Sequence, residues 1–327
     1  MQRANAPKSI NLPQCWGHRG ASSEYPENTL ASFEAAIKDG VEGIESDVHV
    51  SSDNVVLMHH DSSLDRTTSG KGLIKTQPYH GVLDAVKTRK SPHQGIATFE
   101  ETMKLLMREG SQHVSFNIDV KVDNDPERLF PLMHAIVSSH PNYLTNLGPR
   151  LVLGLWHPKF VEPAHRYMPY ARLIHIGTSP AFARKYFFEA CSGFSLSFAS
   201  LVSRDGEKFR AECKEKGKDV YVWTVNERRE MVEATKWGVN AILTDKTADY
   251  VRLRDQMNQD WSTVSKETSW LLPWTSYRYS QIYNTLNSAW DIYTMTRLGG
   301  PLGPPSPGLP SPVIKTGANN VQPSLIA

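Results

Sequence analysis

The sequence predicts an α/β chain closed as a (β/α)8, or TIM, barrel. Three observations lead there. Short apolar runs alternate with helical stretches over about 240 residues, the length such a barrel takes. Counted together, the runs give eight parallel strands. Polar candidates (His18, Glu45, Asp47, Asp119, Trp223 and Asp245) fall at or near the downstream ends of five of them, the end on which barrel enzymes gather their chemistry. A doubly wound open sheet is the rival, and no G-x-G-x-x-G turn supports it.

The first run, Cys15-Trp16, ends in Gly17-His18-Arg19-Gly20 and reads as a strand stopping in a loop. Asn28 offers a helix N-cap, and Leu30, Phe33 and Ile37 recur at helical spacing before Gly40 closes the helix. In the strand at 43–48, Glu45 and Asp47 share one face while Ile44 and Val48 take the other. Only Ser51-Ser52-Asp53-Asn54 separate Val50 from the run Val55-Val56-Leu57-Met58. So short a link excludes a parallel crossover and predicts an antiparallel hairpin. Centred between Ser52 and Asp53, the hairpin puts Glu45 opposite His60; a slip of one residue presents His59 instead.

Residues 66–98 are polar and turn-rich, with one short helical candidate at 79–87, and read as an excursion laid over the site. An amphipathic helix at 99–108 follows, with Met103, Leu106 and Met107 on one side. Residues 113–122 then alternate. Val114, Phe116, Ile118 and Val120 share one face; Ser115, Asn117, Asp119 and Lys121 share the other. In a strand buried on both faces such a polar ladder is costly unless it binds something, so it predicts a face turned into an active site. Strands at 151–155, 172–176, 193–197, 220–224 and 241–243 alternate with helices near 158–167, 180–190, 206–216 and 227–237. The runs at 14–17, 43–48 and 114–120 complete the eight, with 55–60 as the hairpin return.

Beyond residue 255 the composition changes. Trp261, Trp270, Trp274 and Trp290 are half of the 8 tryptophans, joined by Tyr277, Tyr279, Tyr283 and Tyr293. The stretch GGPLGPPSPGLPSP at 299–312 predicts an extended or disordered tail. The chain therefore divides into a barrel over 1–255, an aromatic-rich segment over 256–298 and a Pro/Gly-rich tail over 299–327. The aromatic segment either packs across the barrel or sits at a lipid interface, where Trp and Tyr rings are favoured. At 39% apolar and 21% charged the composition is ordinary globular material, and a net charge of +2 gives no argument for nucleic acid. Cys15, Cys191 and Cys213 are too few and too scattered for a disulfide framework, which fits a reducing compartment. The opening MQRANAPKSINLP has no apolar signal core, and no uncharged apolar stretch reaches spanning length. The expectation is an intracellular protein, cytoplasmic or peripheral on an intracellular membrane.

Glu45, Asp47 and Asp119 are hard oxygen donors suited to Mg2+ or Ca2+. Paired acids on a strand are often a solvated edge, but both neighbouring strands here read as buried. Arg19 supplies a forked contact for a phosphate oxygen. His18 and His60 would divide the proton transfers, one taking a proton from the attacking hydroxyl and the other giving one to the leaving oxygen. His59 reads as structural.

Four motifs occur in order: His18-Arg19-Gly20, Pro26-Glu27-Asn28-Thr29, Glu45-Ser46-Asp47-Val48, and His60-Asp61-Ser62-Ser63-Leu64-Asp65-Arg66-Thr67-Thr68. Together they resemble the glycerophosphodiester phosphodiesterase family, over roughly residues 12–250. Gly154-Leu155-Trp156, Val222-Trp223-Thr224-Val225-Asn226 and Ala241-Ile242-Leu243-Thr244-Asp245 are similar to the fungal phosphatidylglycerol phospholipase C branch. The resemblance implies a metal-dependent hydrolase of a glycerol-containing phosphodiester, in which a free glycerol hydroxyl attacks phosphorus and water opens the cyclic phosphate. The branch implies phosphatidylglycerol as substrate; the wider family implies soluble deacylated diesters such as glycerophosphocholine. The family's third metal ligand is usually Glu, and Asp119 is a shorter substitute. The same resemblance gives Lys121 a place in the site; Glu27 either joins it or favours the following helix through its dipole. Trp223 and Asn226 near a strand end either line a glycerol pocket or, for the tryptophan, simply pack the barrel top, and Asp245 reads as an N-cap for the final helix. The fungal branch carries an apolar C-terminal anchor, which Arg278, Asp291 and the prolines interrupt here. A catalytically silent barrel binding lipid or a protein partner is the reading from another class, and no motif histidine or acid is lost to favour it.

Overall fold

Alternation along each strand builds a closed barrel in the computed structural model, which describes residues 11–304. The strands are β1 (Gln14–His18), β2 (Gly43–Val50), β3 (Val56–Met58), β4 (Ser115–Val120), β5 (Leu151–Leu155), β6 (Arg172–Gly177), β7 (Gly193–Ser197), β8 (Asp219–Trp223) and β9 (Ala241–Thr244). Their order is β1-β9-β8-β7-β6-β5-β4-β2, and a β1–β2 pairing closes the ring. All these pairings are parallel; β3 alone is antiparallel, hydrogen-bonded to the outer part of β2. The helices are α1 (Leu30–Asp39), α2 (Phe99–Met107), α3 (Pro126–Ser138), α4 (Val161–Tyr167), α5 (Pro180–Tyr186), α6 (Phe198–Leu201), α7 (Arg204–Glu215), α8 (Arg228–Trp237), α9 (Thr247–Val264) and α10 (Gln281–Gly299). The eight-stranded (β/α) barrel expected from the sequence is the observed fold.

Outward residues such as Phe116, Ile118, Phe194, Leu196 and Val222 fill the core between strands and helices. Inward ones (Trp16, Val152, Ile174, Tyr221, Ala241 and Leu243) form a separate cluster that plugs the barrel. Gly43 is needed there, because a Cβ on it would lie 2.4 Å from the Trp16 ring. Above this plug the polar inward residues stand at the strand ends.

Several local expectations are corrected. The hairpin register is Val48↔Met58, His49↔Leu57 and Val50↔Val56, one residue away from the pairing of Glu45 with His60. The cause is the turn. Ser51 N donates to Val55 O at 3.0 Å, and Asn54 adopts a left-handed φ of 69°, so the loop is three residues centred on Asp53 rather than an even-numbered one centred between Ser52 and Asp53. His60 enters the site only after the chain has left the strand at Met58. The cap of α1 is Thr29, in a reciprocal box with Ser32, not Asn28, which takes a left-handed φ of 58°. Asp245 does not cap α9; Lys246 occupies that position without a side-chain bond. The helical candidate at 79–87 is a single turn, Leu83–Ala85. Helix α3 was not anticipated, although Asp125 caps it, Pro126 opens it, and Leu129, Phe130, Met133 and Val137 bury one side.

The aromatic segment does pack across the barrel, with Leu272 and Met295 buried in the core and Tyr279 edge-on to Phe198, and polar contacts add to this. Asn284 Nδ2 donates to Ala199 O at 3.2 Å and Asn287 Nδ2 to Thr178 Oγ1 at 2.7 Å. Asp291 accepts from Thr178 and Glu230 from Tyr279. These partners follow β6, β7 and β8, so α10 lies over the strand-end face. Its other side carries Ile282, Leu286, Trp290 and Tyr293, each more than half exposed, and the preceding loop exposes Trp270 (80%) and Trp274 (79%). None of the described helices is long and apolar enough to cross a membrane. Most of the opening stretch and residues 305–327 of the Pro/Gly-rich tail lie outside the described residues.

Candidate active site

Strand ends deliver the site. β1 ends in His18 and Arg19, β2 carries Glu45 and Asp47, β4 carries Asp119 with Lys121 just beyond it, and the chain after β3 brings His60. A cavity of about 120 Å³ opens between two walls. One is polar, with His18, Arg19, Glu45, His60, Asp119 and Lys121; the other holds Trp156, Ile176, Ser195, Trp223 and Leu243.

Glu45, Asp47 and Asp119 each place a carboxylate oxygen within 4.8 Å of the other two, and all three are buried. Lys121 Nζ lies 2.6 Å from Asp47 Oδ1 and 2.8 Å from Asp119 Oδ2. Arg19 Nε stands 3.5 Å from Asp47 Oδ2, while Arg19 also binds Glu27 at 2.9 Å. One ammonium and one shared guanidinium thus face three buried carboxylates. Glu45 is the one left over: its Oε2 accepts from the Arg19 backbone N–H at 3.0 Å and lies 4.0 Å from His18 Nε2. Burial, then Asp47 and Asp119, push the Glu45 carboxyl well above the usual range. Burial opposes ionisation of Asp47 too, but Lys121 and Arg19 hold it far below normal. A buried cluster whose three candidate ligand atoms are all carboxylate oxygens fits a hard divalent cation. The side chain that sets Asp47 is Asn28, whose Nδ2 donates to Asp47 Oδ2 at 2.8 Å and whose Oδ1 accepts from Ser46 Oγ at 2.6 Å. Asp119 is held by Trp156, whose Nε1 donates to its Oδ1 at 2.7 Å.

Each imidazole is tied at Nδ1 to a carboxylate. Since a carboxylate only accepts, Nδ1–H is the donor in both and Nε2 is the atom free for proton transfer. His18 donates to Asp245 Oδ1 at 2.7 Å. Asp245 also accepts from Ser22 Oγ at 2.9 Å and Asn226 Nδ2 at 2.6 Å. Against the effect of burial, these donors hold its pKa down to about 2. His60 donates to Asp61 Oδ1 at 2.7 Å, and Arg66 Nε holds the other Asp61 oxygen at 2.6 Å. Burial, then the nearby Lys121, lower the His60 pKa.

The structure brings His18, Arg19, Glu45, His60, Asp119, Lys121 and Trp223 together at the cavity, with Asp47 joined to them through Lys121. Glu27 sits at the rim, bridging Arg19 and Arg66. Asn226 does not line this cavity; its amide braces Asp245 and accepts from Thr244 Oγ1 at 3.0 Å. His59 is buried and bonded to Ser63 O, as its structural reading requires. Sequence reasoning missed Asp245 as the partner of His18, Asp61 with Arg66, and Asn28 as the brace of Asp47. All three stood inside quoted motifs, but Asp245 lies 227 residues from its partner, so its role could not be read from spacing. Buried Arg19 Nε and Ser195 Oγ have no hydrogen-bond partner among the described residues.

A model of the glycerophosphoryl diester phosphodiesterase family matches residues 18–249. The glycerophosphodiester phosphodiesterase of Caldanaerobacter subterraneus subsp. tengcongensis is 28% identical over 257 residues, 72% of this chain and 95% of that protein. A putative glycerophosphoryl diester phosphodiesterase from Silicibacter pomeroyi superposes with a TM-score of 0.65 at 20% identity, covering 77% of this chain and 96% of the other. An Oleispira antarctica phosphodiesterase, solved with its product sn-glycerol-3-phosphate, gives 0.61 at 23% identity, covering 75% and 97%. At these identities the two structures speak for the fold.

Proposed function

The chain belongs to the glycerophosphoryl diester phosphodiesterase family and is a phosphoric diester hydrolase; from that premise we propose that it cleaves phosphatidylglycerol at a membrane surface. The products are diacylglycerol and glycerol phosphate, as in the fungal phospholipase C branch. Glu45, Asp47 and Asp119 would hold Mg2+ or Ca2+, which would supply charge neutralisation at the phosphoryl group. Arg19 offers its guanidinium to the phosphate, and Lys121 offsets the charge of Asp47 and Asp119 beside it. One imidazole Nε2, of His18 or His60, takes the proton of the tethered glycerol hydroxyl as it attacks phosphorus; the other protonates the leaving oxygen. Water then opens the cyclic phosphate with the roles reversed. Glu27 steadies Arg19, Asn226 steadies Asp245, and Trp223 belongs to the wall that excludes water.

The observation that carries the membrane reading is the reversed face of α10. Apolar and aromatic side chains at interface-favouring positions point to solvent beside the cavity, where a lipid headgroup would have to enter. The division of labour follows: a catalytic barrel over 1–255, a docking segment over 256–298, and a Pro/Gly-rich tail over 299–327. The protein would work inside the cell, peripheral on an intracellular membrane. A soluble diester is the second reading, favoured by the cavity of about 120 Å³, which suits a glycerol phosphate unit. Purified protein assayed on phosphatidylglycerol vesicles and on glycerophosphocholine, with divalent metal added or chelated, separates the two. Turnover of soluble diesters alone removes the lipase.

A further inference from the structure

We infer that Ser195 recognises a free hydroxyl on the glycerol half of the substrate, an assignment that rests on the glycerophosphodiesterase reading but not on the choice of leaving group. Along β7, Phe194 and Leu196 face outward into the core between strands and helices, so Ser195 faces inward. It is fully buried and lines the catalytic cavity on the wall opposite the acids, beside Ile176, Leu243 and Trp223. Its neighbours hold it still: its carbonyl accepts from Trp223 Nε1 at 2.9 Å.

Its hydroxyl is the anomaly. Four other serines are as fully buried, and each is bonded: Ser32 Oγ to Arg19 O at 2.9 Å, Ser46 to Asn28 at 2.6 Å, Ser51 to Asp53 at 2.6 Å and Ser200 to Ser197 O at 2.8 Å. Ser195 Oγ has no partner among the described residues. An unpaired buried hydroxyl is a net cost that alanine would remove at the same size. Nothing in the packing explains its presence, whereas a ligand in the cavity does. The complement of a hydroxyl that both donates and accepts is another alcohol. The phosphate is already claimed by Arg19 and Lys121 on the polar wall, so the alcohol must come from the substrate's carbon skeleton, with its methylenes lying on Ile176 and Leu243. A diacylated glycerol would offer only acceptors and overfill a cavity of about 120 Å³. The free glycerol of a headgroup or of a deacylated diester fits.

The test is calorimetric titration of the full chain, with divalent metal present, by sn-glycerol 3-phosphate and by inorganic phosphate. Ser195→Ala should weaken glycerol phosphate about tenfold, the upper end for one neutral hydrogen bond, and leave inorganic phosphate unchanged. KM for glycerophosphocholine should rise by a similar factor with kcat held, and the thermal midpoint should not fall. Equal losses for both ligands, or none for either, overturn the assignment while leaving the wild-type activity standing. A wild type that binds phosphate but neither binds glycerol phosphate nor cleaves any glycerol diester overturns the assignment and the functional reading together.

Discussion

Replacing Asp245 by Asn tests whether His18 depends on a fixed tautomer. Three groups point donors at this carboxylate: His18 Nδ1, Ser22 Oγ and Asn226 Nδ2. An amide has one accepting oxygen, so its NH2 must confront either Asn226 Nδ2 or the two donors that share Oδ1, His18 Nδ1 and Ser22 Oγ. Ser22 can turn its proton to His18 O at 2.8 Å. Asn226 cannot flip to oblige, because its Oδ1 already accepts from Thr244 Oγ1 at 3.0 Å and from the residue 245 backbone N–H at 2.9 Å. The imidazole is the group left to yield. It moves its proton to Nε2, and the atom facing the cavity can no longer accept one. A positioned acid–base group is worth roughly 10²–10⁴-fold, so kcat/KM should fall by about that range for Asp245→Asn. Asp245→Ala, which frees the ring without forcing the wrong tautomer, should lose less. Stability gives a second number. The carboxyl sits at about 2 against 3.8 when free, which makes its charge worth about 2 kcal/mol to the fold at neutral pH. That stability is present above the free value and is lost as pH falls toward 2. Urea unfolding at pH 7 should show Asp245→Asn weaker by about this amount yet folded. Activity within threefold of wild type in a folded Asp245→Asn protein would refute the reasoning.

Three more outcomes are expected. His175 is fully buried, stacked on Phe187 at 4.0 Å and donating from Nδ1 to Leu155 O, and burial drives its pKa down to about 3. The unfolded chain therefore binds a proton there below about 6.5 that the fold refuses, so stability falls as pH drops, by about 2 kcal/mol at pH 5. Urea unfolding at pH 7 and 5 should show His175→Phe gaining that much relative to wild type on acidification; a pH-independent difference would contradict the assignment. Glu45→Gln removes the unmatched charge and should stabilise the metal-free protein by roughly 1–4 kcal/mol. Added Mg2+ or Ca2+ should then stabilise wild type, by about 2.7 kcal/mol at a hundredfold excess over Kd, but not the inactive variant, as thermal melts with and without chelator would register. Asn28→Asp sets a second buried carboxylate against Asp47 and should cost about 3–5 kcal/mol, whereas Asn28→Gly keeps the left-handed backbone at φ 58° and should cost about 1–2 kcal/mol in the same urea assay.

What could be read from the chain was whatever repeats at short range. Glu45 and Asp47, or Asn117 and Asp119, fall two apart on a strand, and the pleat alone puts each pair on one face. Eight such runs with helices between them are enough to close a ring. Where a single backbone angle decides, the reading slipped: Asn54 in the left-handed region moved the hairpin by one residue, and Asn28 in the same region gave its capping place to Thr29. Partnerships across the sequence were out of reach by pattern, since nothing near Asp245 announces His18. Helix α3 was a different failure, because the Asp125-Pro126 start and its apolar spacing were there to be seen.

The orientation of α10 lay beyond pattern for a deeper reason. Ile282, Leu286, Trp290 and Tyr293 make an apolar stripe at helical spacing, and such a stripe ordinarily faces the core. Here it cannot. The barrel top presents the Ala199 carbonyl and the Thr178 hydroxyl, which find their partners in Asn284, Asn287 and Asp291 on the opposite side of the helix. Turning the stripe inward would leave those groups buried without partners. The helix therefore settles polar side down, and its apolar side is left exposed, the face proposed above to dock on lipid. Replacing Trp270, Trp274 and Trp290 with Ser should abolish co-sedimentation with phosphatidylglycerol vesicles while leaving turnover of glycerophosphocholine within about twofold. Undiminished sedimentation would mean that the stripe serves something other than lipid.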